Sequence, residues 1–156
     1  MSLRNPRSEW LHMHICIYGE PYDSRTRGPQ AQHWAMWFED GDYEQWSTLI
    51  HVVLSGNTWE LKLRPLADPR RSERYKGTIH LTDIKHIYLE ELVRVASQQL
   101  PRPAQYVTPP DREWNCQDYL FDILAYMERT GMINYRREEY QHQKAALQRM
   151  RYGHYR

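Results

Sequence analysis

Cys116 lies in Trp114-Asn115-Cys116-Gln117-Asp118-Tyr119, where a proline-rich stretch containing Asp111 gives way to an amphipathic helical pattern. The thiolate is the nucleophile of cysteine chemistry, and a helix N-terminus favours it with unpaired N–H groups and the positive end of the dipole. Tyr119, Leu120, Ile123, Leu124 and Met127 follow Cys116 at helical spacing, which turns the sulfur toward the body of the domain. Gly131 is the expected C-cap.

A nucleophilic thiol needs a base or imidazolium partner within hydrogen-bond reach, and the chain offers eight histidines. His33 opens the aromatic stretch His33-Trp34-Ala35-Met36-Trp37-Phe38 and shares a strand face with Ala35 and Trp37. His51 is centred in Leu49-Ile50-His51-Val52-Val53-Leu54, where an unpartnered imidazole would be costly. His12, His14 and Cys16 also share one strand face and form a possible zinc set, but no fourth ligand is suggested. A mixed-polarity outer face is the commoner reading of that pattern, so neither a metal nor a cofactor is expected.

These residues require a particular set of elements to position them. Leu11 to Tyr18 alternates strictly and predicts a strand; Gly19 to Gln30 reads as an exposed loop. The His33 strand ends at Glu39-Asp40-Gly41-Asp42, and the His51 strand turns through Ser55-Gly56-Asn57 into Thr58 to Arg64. Ala67 to Lys76 reads as a charged loop, and Gly77 to Leu81 as one more strand. Asp83 to Gln99 has helical spacing, with Thr82 or Asp83 as N-cap and Pro101 and Pro103 as the stop. The linker Arg102 to Glu113 follows. The expected fold is α+β: a small antiparallel sheet or partial barrel packed against the Cys116 helix. One domain is expected over residues 1–134, with a basic, helical, solvated tail over 135–156.

In order and pattern the chain resembles the circularly permuted NlpC-type papain-like cysteine enzymes, the group of lecithin:retinol acyltransferase. The resemblance rests on His33-Trp34-Ala35, then Ile50-His51-Val52, then Asn115-Cys116-Gln117-Asp118-Tyr119, and covers Gln32 to Tyr126. The chain also looks like small uncharacterised fungal proteins with an Asn-Cys-Gln-Asp helix. The resemblance implies a permuted papain-like fold with Cys116 as nucleophile, His33 as base and His51 as the group that orients His33. The spacing from His33 to His51 is longer than in the acyltransferases, which leaves Glu60 and His80 as alternatives for the third place. Trp34, Trp37, Trp114 and Asn115 are the residues expected to line the substrate site.

The implied activity is thiol-dependent hydrolysis or acyl transfer through a thioacyl-enzyme, on a small-molecule or peptide amide, ester or thioester. One alternative is a non-catalytic interaction module that docks a partner on Trp34, Trp37, Trp59 and Trp114. Another is a biosynthetic enzyme that joins amines to activated acyl groups, including RNA-carried ones. With 21 Lys and Arg against 20 Asp and Glu, no global field favours nucleic acid, and only the basic tail offers a local phosphate contact. Two cysteines make no disulfide framework, and no apolar run has the length of a signal peptide or membrane span. A cytoplasmic address is expected.

Overall fold

The alternation of β1 (Trp10–Tyr18) divides the molecule into two sides. Leu11, Met13, Ile15 and Ile17 are buried under the helices, while His12, His14, Cys16 and Tyr18 project from the opposite face. The computed structural model describes residues 8–19, 33–40, 43–55, 58–98, 102–103, 107–108, 112–113 and 116–150. The Gly56-Asn57 turn, the bulk of the Gly19 to Gln30 loop and the tail beyond Met150 lie outside them.

The architecture is α+β. β1 pairs antiparallel with β2 (His33–Asp40) and β5 (Tyr75–Lys85), and β2 continues through β3 (Tyr43–Ser55) and β4 (Thr58–Pro65). With the two-residue β6 (Arg102–Pro103), the order is β5-β1-β2-β3-β4-β6, an open sheet rather than a partial barrel. Val107–Thr108 (β7) and Arg112–Glu113 (β8) pair separately.

Three helices, α1 (Leu89–Gln98), α2 (Cys116–Arg129) and α3 (Glu138–Met150), contribute to the core of one sheet face. α2 packs against β2 and β3, and α3 against β5. The apolar stripe of α2 is buried throughout, from Cys116 through Tyr119, Leu120, Ile123 and Leu124 to Met127. On the sheet it meets Trp34, Met36, Phe38, Ile50 and Val52, with Trp34 and Phe121 in ring contact at 6.1 Å. Each fully buried aliphatic side chain contributes about 1.5–3 kcal/mol of transfer free energy. Tyr119 Oη donates to the Ala96 carbonyl at 2.6 Å, which ties α2 to α1. Gly131 ends this region at φ 81°, a left-handed conformation that glycine adopts without a Cβ penalty.

Two further expectations are corrected. Asp83 is not a helix cap: β5 runs on to Lys85 because Thr82, Asp83, Ile84 and Lys85 are each paired with β1, and α1 begins only at Leu89 after a 3-10 turn. Residues 138–150 are not a solvated tail. Tyr140 and Leu147 are buried in the main core, and Glu128 accepts hydrogen bonds from Tyr140 Oη and Lys144 Nζ, both at 2.6 Å. The mixed charges hid a narrow apolar stripe in that helix.

Ile123→Ala or Leu124→Ala is expected to cost about 2–5 kcal/mol in urea unfolding, through lost transfer free energy plus a cavity. Ile87→Ala, at a position 64% exposed, should change stability by less than about 0.5 kcal/mol.

Candidate active site

Among the described residues, five histidines stand on the sheet face that the helices leave uncovered: His12 and His14 on β1, His33 on β2, His51 on β3 and His80 on β5. The middle of this face is apolar, with Cys16, Tyr18, Ala35, Trp37 and Leu49 packed under Ala67 and Tyr75. Leu66, at φ 59°, turns the chain after β4 back across the sheet, and its N–H donates to the Ser47 carbonyl at 2.8 Å. Such a conformation costs a non-glycine residue about 1–2 kcal/mol. Arg70 then lies over the Trp37 ring at 5.7 Å, held by Asp68 at 2.9 Å. Polar groups collect at the two ends of β1, on either side of this lid.

At the Tyr18 end, His33 is the first residue of β2 and sits across from Tyr18, their rings 5.7 Å apart. His33 Nε2 and His51 Nδ1 are 3.0 Å apart, and Arg64 Nε donates to His51 Nε2 at 3.3 Å. An arginine only donates, so the neutral His51 carries its proton on Nδ1 and gives it to His33 Nε2. His33 then carries its own proton on Nδ1. Burial lowers the pKa of both rings to about 4, with His33, Arg64 and Lys62 adding to the effect at His51. The hydrogen-bond chain acts in the same direction, because a second proton on either ring sets one N–H against another or against the guanidinium.

At the other end, Asp83 Oδ1 accepts from His12 Nδ1 at 2.7 Å and from His80 Nε2 at 2.8 Å. Burial opposes the Asp83 charge, but these two hydrogen bonds outweigh it and hold its carboxyl below the usual carboxylate range. His14 Nε2 meets Glu39 Oε1 at 2.7 Å; burial lowers the His14 pKa despite that carboxylate. Cys16 is a poor partner for this group: burial pushes its thiol up to about 12, against a hydrogen bond with Thr78 that lowers it.

Of the residues expected at the site, the fold brings His33 and His51 together. Cys116 opens α2, the helix packed on the strands that carry them, and is itself only 6% exposed. It belongs to the helix-side cluster with Trp34 and Met36, whereas His33 is in phase with Ala35 on the other face. The two residues are thus the first of the strand and the first of the helix, on opposite faces of the sheet. Trp34 and Trp37 are buried at 1% and 6% exposure, one under α2 and the other under Arg70, so neither offers a free ring to a ligand or partner. Trp114, Asn115 and the Trp59 side chain lie outside the described residues. Glu60 meets Lys62 at 3.7 Å, and His80 serves Asp83 at the far end. Arg64 was not anticipated; its strand phase, opposite Leu49, is the signal that places it on this face.

The family model described as a family of unknown function, DUF6540, matches residues 21–134, and the chain belongs to that family. Neither the curated proteins nor the solved structures contain a match.

The histidine pair gives the fold an acid sensitivity of definite sign. The unfolded rings take protons near 6.5, the folded ones only near 4, so the unfolded state binds more protons between those values. Stability is fully present above about 6.5 and falls as pH drops toward 4. Urea unfolding across this range should show that slope reduced in His33→Phe, and an unchanged slope would contradict the assignment.

Proposed function

We propose that the protein is a thiol-dependent hydrolase or acyltransferase of permuted papain-like type, with Cys116 as nucleophile and His33 as its base. The observation that carries this reading is the His33–His51 hydrogen bond on the two strands against which α2 packs. It leaves the second nitrogen of His33, Nδ1, for the thiol, and burial keeps both rings unprotonated near neutral pH, the state a base requires.

The reaction needs Nδ1 of His33 free of its proton. Release of His51 Nε2 by the exposed Arg64 lets the pair change tautomer, so that His33 Nε2 donates to His51 Nδ1 and His33 Nδ1 accepts. The Cys116 proton then passes to Nδ1 as sulfur bonds to the acyl carbon. The oxyanion meets the Cys116 backbone N–H at the helix start. Collapse of this intermediate breaks the bond to the leaving group, which takes the proton from Nδ1. Water, or an amine or hydroxyl acceptor, gives a proton to His33 and displaces sulfur from the thioacyl-enzyme. Arg64 acts through His51 by holding the resting tautomer. The reading as a tryptophan docking module has less support, because Trp34 and Trp37 are buried.

Alkylation of Cys116 by iodoacetamide, followed by peptide mass spectrometry across pH, tests the dyad. The wild-type thiol should react with an apparent pKa below the reference value of about 8.5. His33→Ala should shift that profile upward and slow labelling near neutral pH by roughly tenfold or more, as loss of one positioned base does. Arg64→Ala should leave labelling intact or speed it. Reactivity appearing only above the reference pKa and indifferent to His33→Ala would refute the proposal.

A further inference from the structure

At the end of β1 away from His33, a local irregularity of the sheet gathers three ligand-type side chains. His80 and Asp83 are three residues apart on β5, a separation that regular alternation would send to opposite faces. The β1–β5 register shifts between Met13 and His14: Met13 pairs with Thr82, and His14 with His80. Leu81 is therefore the extra residue of a bulge, and both Leu81 and Thr82 are buried. The bulge returns Asp83 to the face of His80, where it pairs with His12 on β1.

His12, His80 and Asp83 each offer one ligand atom, and these atoms all lie within 4.8 Å of one another. Two imidazoles and a carboxylate are a donor set that suits borderline divalent cations such as Zn²⁺ and Co²⁺. The three side chains are 33–42% exposed, so solvent reaches the position and can complete the coordination shell. His14 forms a more enclosed wall: its ring lies 5.2 Å from that of His80, and its Nε2 is committed to Glu39. His14 Nδ1 is buried without a hydrogen-bond partner, an unmet polar atom beside the cluster.

We propose that His12, His80 and Asp83 form a divalent metal site for zinc-like ions, with water in the remaining positions. The sequence pattern of His12, His14 and Cys16 pointed to a different set. In the fold only His12 belongs to it, because its second imidazole and its carboxylate come from across the β1–β5 ladder. Binding exchanges the two N–H donors on Asp83 for the ion: the protons on His12 Nδ1 and His80 Nε2 pass through water to the other nitrogen of each ring, which leaves a lone pair on each facing nitrogen for the metal. No bond order or oxidation state changes. The site is distant along β1 from the His33–His51 pair, and its occupancy is independent of any thiol chemistry.

The test is calorimetric titration of the chelator-treated full chain with Zn²⁺, paired with Co²⁺ titration followed by visible absorption. The expected result is one saturable equivalent, a cobalt spectrum that Zn²⁺ displaces, and a higher thermal midpoint with Zn²⁺. His80→Ala and Asp83→Asn should each weaken Zn²⁺ binding by at least roughly tenfold, the lower end of what loss of even an outer-shell partner costs. His12→Ala provides the same test from β1 should a change on β5 disturb folding, and His33→Ala should bind Zn²⁺ as the wild type does. Absence of a saturable equivalent, or binding that survives all three ligand substitutions unchanged, overturns the proposal.

Discussion

The pairing of β1 with β2 is the constraint on which the rest of the structure depends. A one-residue slip of β1 would exchange its two sets of side chains, carrying Leu11, Met13, Ile15 and Ile17 out of the core and His12 and His14 into it. The register that pairs Tyr18 with His33 and Cys16 with Ala35 is held by both consequences. It buries the aliphatic row under three helices, and it brings histidines from four strands to one side.

The uncovered face has a logic of its own. A loop, rather than a helix, covers its apolar centre, anchored by Ala67, Pro69 and the Arg70–Trp37 stacking. At each end the imidazoles meet different neighbours. His33 and His51 hydrogen-bond to each other and to a cation, which favours neutral rings; His12 and His80 share an ionised carboxylate. One residue type thus sits in a cationic setting at one end of β1 and in an anionic one at the other.

Much of this was legible in the sequence, where period and phase were unambiguous. The alternation of Leu11 to Tyr18 and the spacing from Cys116 to Met127 each describe one face of one element, which local pattern specifies. Asp83 was misread because an acidic residue before an apolar helical pattern looks like an N-cap; only the ladder with β1 keeps it in a strand. The bulge at Leu81 left no turn residue to betray it. Arg64 and Glu39 came to the site through cross-strand register, which no local window contains. Residues 138–150 were misread for a similar reason: Tyr140 and Leu147 look isolated until β5 supplies the surface they cover.

The central claim is that the strand-borne pair presents one nitrogen of His33 to the thiol at the start of α2. Imidazole ¹⁵N spectra recorded before and after alkylation of Cys116 test it most directly. The account predicts that Nδ1 of His33 responds to modification of the sulfur while the rings of His12 and His80 do not. A His33 spectrum unchanged by complete alkylation would contradict it.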